Sequence, residues 1–569
     1  MPEATMTAET HDAPKGFITR YIFSRDHKVI GLQYFTLSLI AALWGIALSL
    51  LMRSHLIAPE ASWVFLEWLF PEGAPDGVMT PELYLALMTM HGTVMVFFVL
   101  TTAIQSGFGN YFLPIQIGAD DMAFPTLNML SFWVTFLAFL TLVVATIAAG
   151  GGPISGWTAY PPLSAVGEVA GPGLGTGQVI WIVAIALFCL ASVLGAINFI
   201  VTTLNLRAEG MTMMRLPVTA WAWFATGAMA LVAFGVLLAG GILLLLDHVA
   251  LTAFFIPEGL IVSDRIIERG GGSPILWQHL LWFFGHPEVY IIIVPALGVL
   301  FHIIAVMSRK TVFCYRAVVT CIAIISTLGF FVWGHHMFVS GMSPFTSIPF
   351  SILTIAISMP AGAVAITWLG TLWRGKIIFN TPMVFALGFI SYFVSGGIGG
   401  LFLGQTALDV YLHDTYFVVG HFHIIMGLAA AFATFAGTYF WFPKFTGRMM
   451  DEGLGKIHFW LTFIGGYIMF ISMHLQGLAG RPRRYPDTET FDFLQPLMSL
   501  HQLITVAALA TAAAQLIFVI NLLWSIKNGK VSGDNPWNAT NLEWTVSSPP
   551  PHDNFGGRRP VVTELSNTR

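Results

Sequence analysis

The sequence predicts an all-α integral membrane protein with twelve transmembrane helices. Three observations carry this. Of 569 residues, 56% are hydrophobic and 9% charged, where a soluble domain carries about 25% charged residues. Twelve apolar stretches reach the roughly 20 residues that a bilayer core demands of a helix. Stretches this long and continuous do not suit barrel strands, the other solution that satisfies backbone groups in lipid. Charge placement agrees with an even number of crossings. Nineteen of the 25 Lys and Arg residues fall on the N-terminal side, from Lys15 to Arg569. The other side has Arg53, Arg265, Arg269, Arg481, Arg483 and Arg484. Excess Lys and Arg mark the cytoplasmic face, so both termini are expected there.

The elements follow in order. Residues 1–27 are polar and mixed, lack the apolar core of a cleaved signal, and read as a cytoplasmic N-terminal segment. The twelve-helix region covers 28–526, with spans near 28–52, 83–113, 127–150, 177–205, 219–247, 276–307, 312–332, 346–373, 382–404, 415–443, 457–476 and 497–526. The longest breaks, 53–82, 151–176, 248–275 and 477–496, lie on the non-cytoplasmic side. Residues 527–569 form a polar cytoplasmic tail with a Pro run at Pro549-Pro550-Pro551. No soluble domain interrupts the spans, and nothing points to nucleic acid. Cys189, Cys314 and Cys321 offer no Cys-x-x-x-Cys spacing, so a thiolate copper centre would belong to a partner.

Six histidines inside the spans are the chemical signal, because an ionisable group in hydrocarbon needs a functional reason. The second span carries Met90-His91-Gly92. A lone imidazole there is usually a hydrogen-bonded core residue. Paired with a histidine elsewhere it would complete a six-coordinate haem, with Gly92 letting the macrocycle approach. The sixth span reads Trp282-Phe283-Phe284-Gly285-His286-Pro287-Glu288-Val289-Tyr290. Trp282, His286 and Tyr290 recur at intervals of four and share one helical face. A buried Glu–Tyr hydrogen bond is the bland alternative, but three polar groups in one apolar span need a common cause. The seventh span ends in His335-His336. Neighbours on a helix point about 100° apart, so both reach one ion only where the helix ends or unwinds. With His286 they make a three-imidazole site suited to copper or zinc. The tenth span carries His421-Phe422-His423, whose imidazoles point about 200° apart. They cannot share an ion and can each serve a different flat cofactor.

On these motifs, with Gly109-Asn110-Tyr111 and Pro482-Arg483-Arg484-Tyr485, the chain resembles subunit I of haem–copper terminal oxidases, the cytochrome c oxidase (aa3-type) family. The likeness runs from Asp26-His27-Lys28 to Leu542-Glu543-Trp544-Thr545 and the Pro run. The resemblance implies the haem–copper oxidase subunit I fold, two haems of the a type and one copper. It implies that His91 and His423 bind the low-spin haem, His421 the high-spin haem, and His286, His335 and His336 the copper. Tyr290 would be cross-linked to a copper ligand, His286. Arg483 and Arg484 would meet haem propionates, near the carboxylate of Asp409. His413 and Asp414 would hold magnesium or manganese at the boundary with a copper-containing subunit II. Trp157 would lie over the active site and Arg53 against the low-spin haem. The implied reaction is four-electron reduction of O2 to water coupled to proton translocation. Electrons would come from cytochrome c, in a complex that also contains a subunit III, in a bacterial-type inner membrane. A quinol-fed oxidase and a nitric-oxide reductase are the alternatives within the superfamily. A twelve-helix transporter without haem is the alternative outside it.

Protons must reach such a buried centre. Asp121 lies in the loop after the second span and Glu288 mid-membrane. Asn110, Asn128, Asn198, Ser131 and Ser192 lie between them, able to hold a file of water. This resembles the family's aspartate-started path, with Ala191 replacing one serine. A second family path is interrupted. Val364 stands where a lysine is usual, Ala361 for a threonine and Phe301 for a serine, leaving Thr354 and Thr367 as the polar groups nearby.

Overall fold

The computed structural model describes residues 16–147, 151–487 and 491–562. Lys15, Arg569 and the 148–150 end of the predicted third span lie outside them. Twelve helices among the described residues are long and apolar enough to cross a membrane. They are α1 (His27–Ile57), α2 (Pro81–Ile117), α3 (Pro125–Thr146), α4 (Thr176–Asn205), α5 (Val218–Val249) and α6 (Pro274–Ser308). After these come α7 (Tyr315–Met337), α8 (Pro344–Leu372), α9 (Thr381–Leu403), α10 (Tyr416–Thr446), α11 (Glu452–Leu478) and α12 (Asp492–Asn528).

Local chemistry starts these helices. Asp26 caps α1 by accepting from the Lys28 N–H at 2.8 Å. Thr80, Ser343, Asn380, Thr415 and Asp451 cap α2, α8, α9, α10 and α11 in the same way. Pro81, Pro125, Pro274 and Pro344 occupy first helical positions, where a missing N–H costs nothing. One short hairpin, β1 (Ile261–Val262) with β2 (Arg265–Ile266), sits in the α5–α6 connection.

Helix α6 is the most enclosed span: 78% of its most apolar window is buried, against 28% in α8 and α12. It packs on α5, α8, α9 and α10, so its polar groups lie at the centre of the molecule. Two differences from the predicted spans bear on the site. Helix α2 runs on to Ile117 because Val94–Phe108 widens into π-helical turns. There the Thr102 hydroxyl donates five residues back, to the Phe97 carbonyl, at 2.9 Å, and the Thr101 hydroxyl lies 2.7 Å from the Val96 carbonyl. Helix α7 reaches Met337 because its last residues, Trp333–Met337, tighten into a 3₁₀ turn. This supplies the helix end that the His335-His336 pair requires.

The tail folds back onto the face carrying the N-terminal end of α1. Asn554 is wholly buried and bonds His27 Nε2 at 2.9 Å, Lys28 Nζ at 3.0 Å and the Ala119 carbonyl at 2.9 Å. Lys444 on α10 donates to the Val546 and Ser547 carbonyls at 2.6 and 3.1 Å. The polar tail is thus a strap and not a free end over its described length.

Candidate metal centres

The α6–α7 junction gathers three imidazoles. One nitrogen each from His286, His335 and His336 lie within 4.8 Å of one another. His286 Nδ1 is 3.2 Å from His336 Nε2. His335 Nδ1 is tied to the Thr354 hydroxyl at 3.0 Å, which leaves its other nitrogen free. Trp282 stacks on the His336 ring at 3.9 Å, nearly parallel at 6°, and its indole N–H donates to the Tyr160 hydroxyl. Trp157 meets Trp282 edge-on, with centroids 6.1 Å apart. The Tyr290 ring stands 4.8 Å from that of His286, whose Nε2 is buried and unbonded. Converging neutral nitrogens fit a copper ion.

The α2–α10 contact makes a second arrangement. The rings of His91 and His423 face each other with centroids 6.4 Å apart and planes 15° from parallel. A gap of that size would take one metal ion held by both imidazoles. His91 Nδ1 is held by the Gly45 carbonyl at 2.8 Å, His423 Nδ1 by Val419 at 2.8 Å and His421 Nδ1 by Gly396 at 2.9 Å. Each ring is thereby fixed as the Nδ1–H tautomer with Nε2 left for a metal, the usual outer-shell device for a ligating histidine. His421 faces α9, on the Gly396 carbonyl. His423 faces His91. The two imidazoles of α10 serve opposite sides, as their spacing predicts. Gly92 has a different neighbour from the one expected. A Cβ there would meet the Trp157 ring at 3.0 Å, so the glycine makes room for tryptophan.

Above these sites, Arg483 grips Asp414 through Nε at 2.6 Å and through Nη2. Residues expected to serve different ligands bind each other here. Arg484 donates to Thr158 at 3.3 Å. Asp409 is buried and pairs with His413 at 3.1 Å. Arg53 is buried against α12, on Thr505 and His501.

Glu288 is 1% exposed on α6, and the Thr101 hydroxyl donates to its Oε1 while Oε2 is unpartnered. Asn110 Oδ1 and Asn128 Nδ2 are also buried and unbonded, suited to ordered water. Ser131 meets Tyr34 at 2.8 Å and the Ala191 carbonyl at 2.9 Å. Asn198 instead clamps both backbone groups of Phe124 at 3.0 and 3.3 Å, fixing the loop that carries Asp121. Ser192 is half-buried, with no side-chain hydrogen bond among the described residues. Burial pushes the Asp121 carboxyl up to about 7, against the Met122 N–H that it accepts and with Asp26 adding to the rise.

Between α6 and α8 the packing is close and largely apolar. Val364, Phe301 and Trp368 are each fully buried, with the Phe301 and Trp368 rings 5.8 Å apart. Thr354 is engaged by His335, and the Thr367 hydroxyl bonds the Val364 carbonyl of its own helix at 2.6 Å.

Over residues 29–510 the chain matches the family described as Cytochrome C and Quinol oxidase polypeptide I. It belongs to that family. It is 45% identical over 551 residues to the alternative cytochrome c oxidase subunit 1 of Bradyrhizobium diazoefficiens, covering 96% of this chain and 90% of that protein. Cytochrome c oxidase subunit 1 of Cereibacter sphaeroides is 39% identical over 575 residues, covering 98% and 97%. Among solved structures, a heme-copper terminal oxidase dimer shares the fold with a TM-score of 0.71 at 17% identity, covering 89% of this chain and 85% of the other. Haem and copper are the cofactors that membership of this oxidase family implies, and the imidazole sets above fit both.

Sequence reasoning about this oxidase-family chain missed several residues. Thr101 lies 187 positions from the Glu288 it touches, and Tyr160 lies 122 from Trp282. No local pattern marks either contact. Arg481 was legible as the first of three arginines in Arg481-Pro482-Arg483-Arg484, but only the last two were read as chemistry.

Proposed function

We propose that this chain is the catalytic subunit of a proton-translocating respiratory oxidase that reduces O2 to water with electrons from cytochrome c. The observation that carries the reading is the meeting of His286, His335 and His336 beside Tyr290. When bound, the haems and copper supply the electron transfer and oxygen chemistry. The chain orients them. In this reading His91 and His423 hold the low-spin haem, His421 the high-spin haem, and the α6–α7 imidazoles the copper. Trp282 fixes the plane of His336, and Thr354 holds the His335 ring at its Nδ1. Tyr290, joined covalently to His286, stands ready to give a proton at its hydroxyl. Arg483, Arg484, Trp157 and Asp409 border the propionates, and His413 with Asp414 offers a magnesium or manganese site facing a copper-bearing subunit II. Haem of the a type, a subunit III, a bacterial inner membrane and cytoplasmic termini complete the proposal.

Asp121 is the proposed intake for protons, passing them by way of Asn110, Asn128, Ser131 and Ser192 to Glu288. A carboxyl half protonated near pH 7 loads from the cytoplasm and unloads inward. Above that pH it is ionised and loads less often, so turnover declines as pH rises through about 7. Asp121→Asn should lower turnover about tenfold or more and abolish that decline, read by oxygen consumption between about pH 6 and 9.

The decisive experiment is a reduced-minus-oxidised spectrum of the purified complex with and without CO. The expected result is two haem signals, one of them CO-reactive. Absence of haem would sink the reading. Oxygen consumption is expected with reduced cytochrome c, and consumption with a quinol alone would reassign the donor.

A further inference from the structure

Where α1, α2, α10 and α12 meet the end of α11, several polar side chains are buried without the partner they need. Arg481 is 3% exposed, yet its Nε and Nη2 are unbonded. Its guanidinium lies 5.1 Å from the centre of the Tyr416 ring. Gln476 is fully buried with neither amide atom bonded, and His501 leaves Nε2 bare. Arg53 spends its donors on neutral acceptors, the Thr505 hydroxyl at 3.0 Å and the His501 carbonyl at 2.9 Å. Among the described residues neither arginine forms an ion pair. Tyr84 and Tyr416 lie within interaction range of both. Two adjacent buried cations without a counter-charge are costly, and a shared anion relieves that cost.

Position says which anion. Tyr84 precedes His91 by seven residues, and Tyr416 precedes His423 by seven. Seven residues make two helical turns, about 10 Å along the axis, and return to the same face. The cationic group therefore lies at one edge of the space between His91 and His423, as far from the iron position as a haem side arm reaches. A planar macrocycle gripped by those two imidazoles presents its carboxylates at such an edge. Arginine suits a carboxylate through its planar fork of donors.

We propose that Arg481, flanked by Gln476, binds a carboxylate of the low-spin haem, in addition to Arg483 and Arg484. This rests on reading His91 and His423 as that haem's ligands. A cation held there favours the reduced iron, so its loss lowers the electron affinity of that haem.

The test is a spectroelectrochemical titration of the low-spin haem in the purified complex, with cyanide blocking the high-spin site. Arg481→Met should weaken electron affinity about tenfold, which for a one-electron couple is about 59 mV. Arg481→Lys, which keeps charge but loses the fork, should fall by about threefold, and the low-spin absorption bands should persist in both. An unmoved midpoint in Arg481→Met would overturn the proposal, as would a loss of thermal stability with no change in midpoint. Where Arg481→Met does not assemble, Arg481→Lys decides on the same terms. Absence of a low-spin haem from the unaltered complex would instead overturn the reading of His91 and His423, and it would be seen before any variant is made.

Discussion

His286→Ala is expected to strip the copper from the complex, end oxygen reduction and leave both haems bound. His286 lies on α6, the most enclosed span, and alanine there removes one of only three nitrogens that converge. The remaining pair, His335 and His336, comes from a short 3₁₀ turn and offers two bonds where a trigonal site needs three. Loss of an outer-shell partner of a metal ligand already costs about 10–100-fold in affinity or activity, and loss of a ligand costs more. The same change takes away the ring that Tyr290 faces at 4.8 Å. Metal analysis should find copper lost from this chain, with the haem spectrum intact because His91, His421 and His423 sit on other helices. Full copper with ordinary turnover would refute the site.

Glu288→Gln carries the second large effect. The amide keeps the shape, and its oxygen still accepts from Thr101, so the fold around α6 should hold. What disappears is a group that can release a proton, worth about 10²–10⁴-fold where general acid–base catalysis governs a step. Val364, Phe301 and Trp368 fill the packing between α6 and α8 with apolar side chains. Turnover should therefore collapse while reduction of the haems persists, as measured by oxygen uptake beside stopped-flow absorbance. Turnover near that of the unaltered enzyme would reveal another proton route.

The clustered histidines were legible because imidazoles are rare in so unfavourable a medium. A histidine in hydrocarbon announces itself, and helical angles alone separated His421 from His423. The twelve spans were legible for a related reason, since bilayer thickness imposes length. What the sequence hid was mutual arrangement. That Thr101 faces Glu288 depends on π-helical turns in α2, which no hydropathy profile records. That Thr354 holds His335 depends on how α8 approaches α7. Arg483 and Asp414 were read as serving separate ligands because each fits its motif, while their mutual grip appears only in three dimensions. Gly92 was read as clearance for a cofactor, where the space it leaves is filled by Trp157.

The strap at the face carrying both described chain ends has a bearing on how the protein is made. Asn554 closes onto His27 across 527 positions of sequence and lies against the loop that presents Asp121. The imidazoles proposed to hold the metals end at His423, and Asn554 comes more than a hundred positions later. On the proposed reading, the metal-binding imidazoles are thus made before the strap that closes against the Asp121 loop.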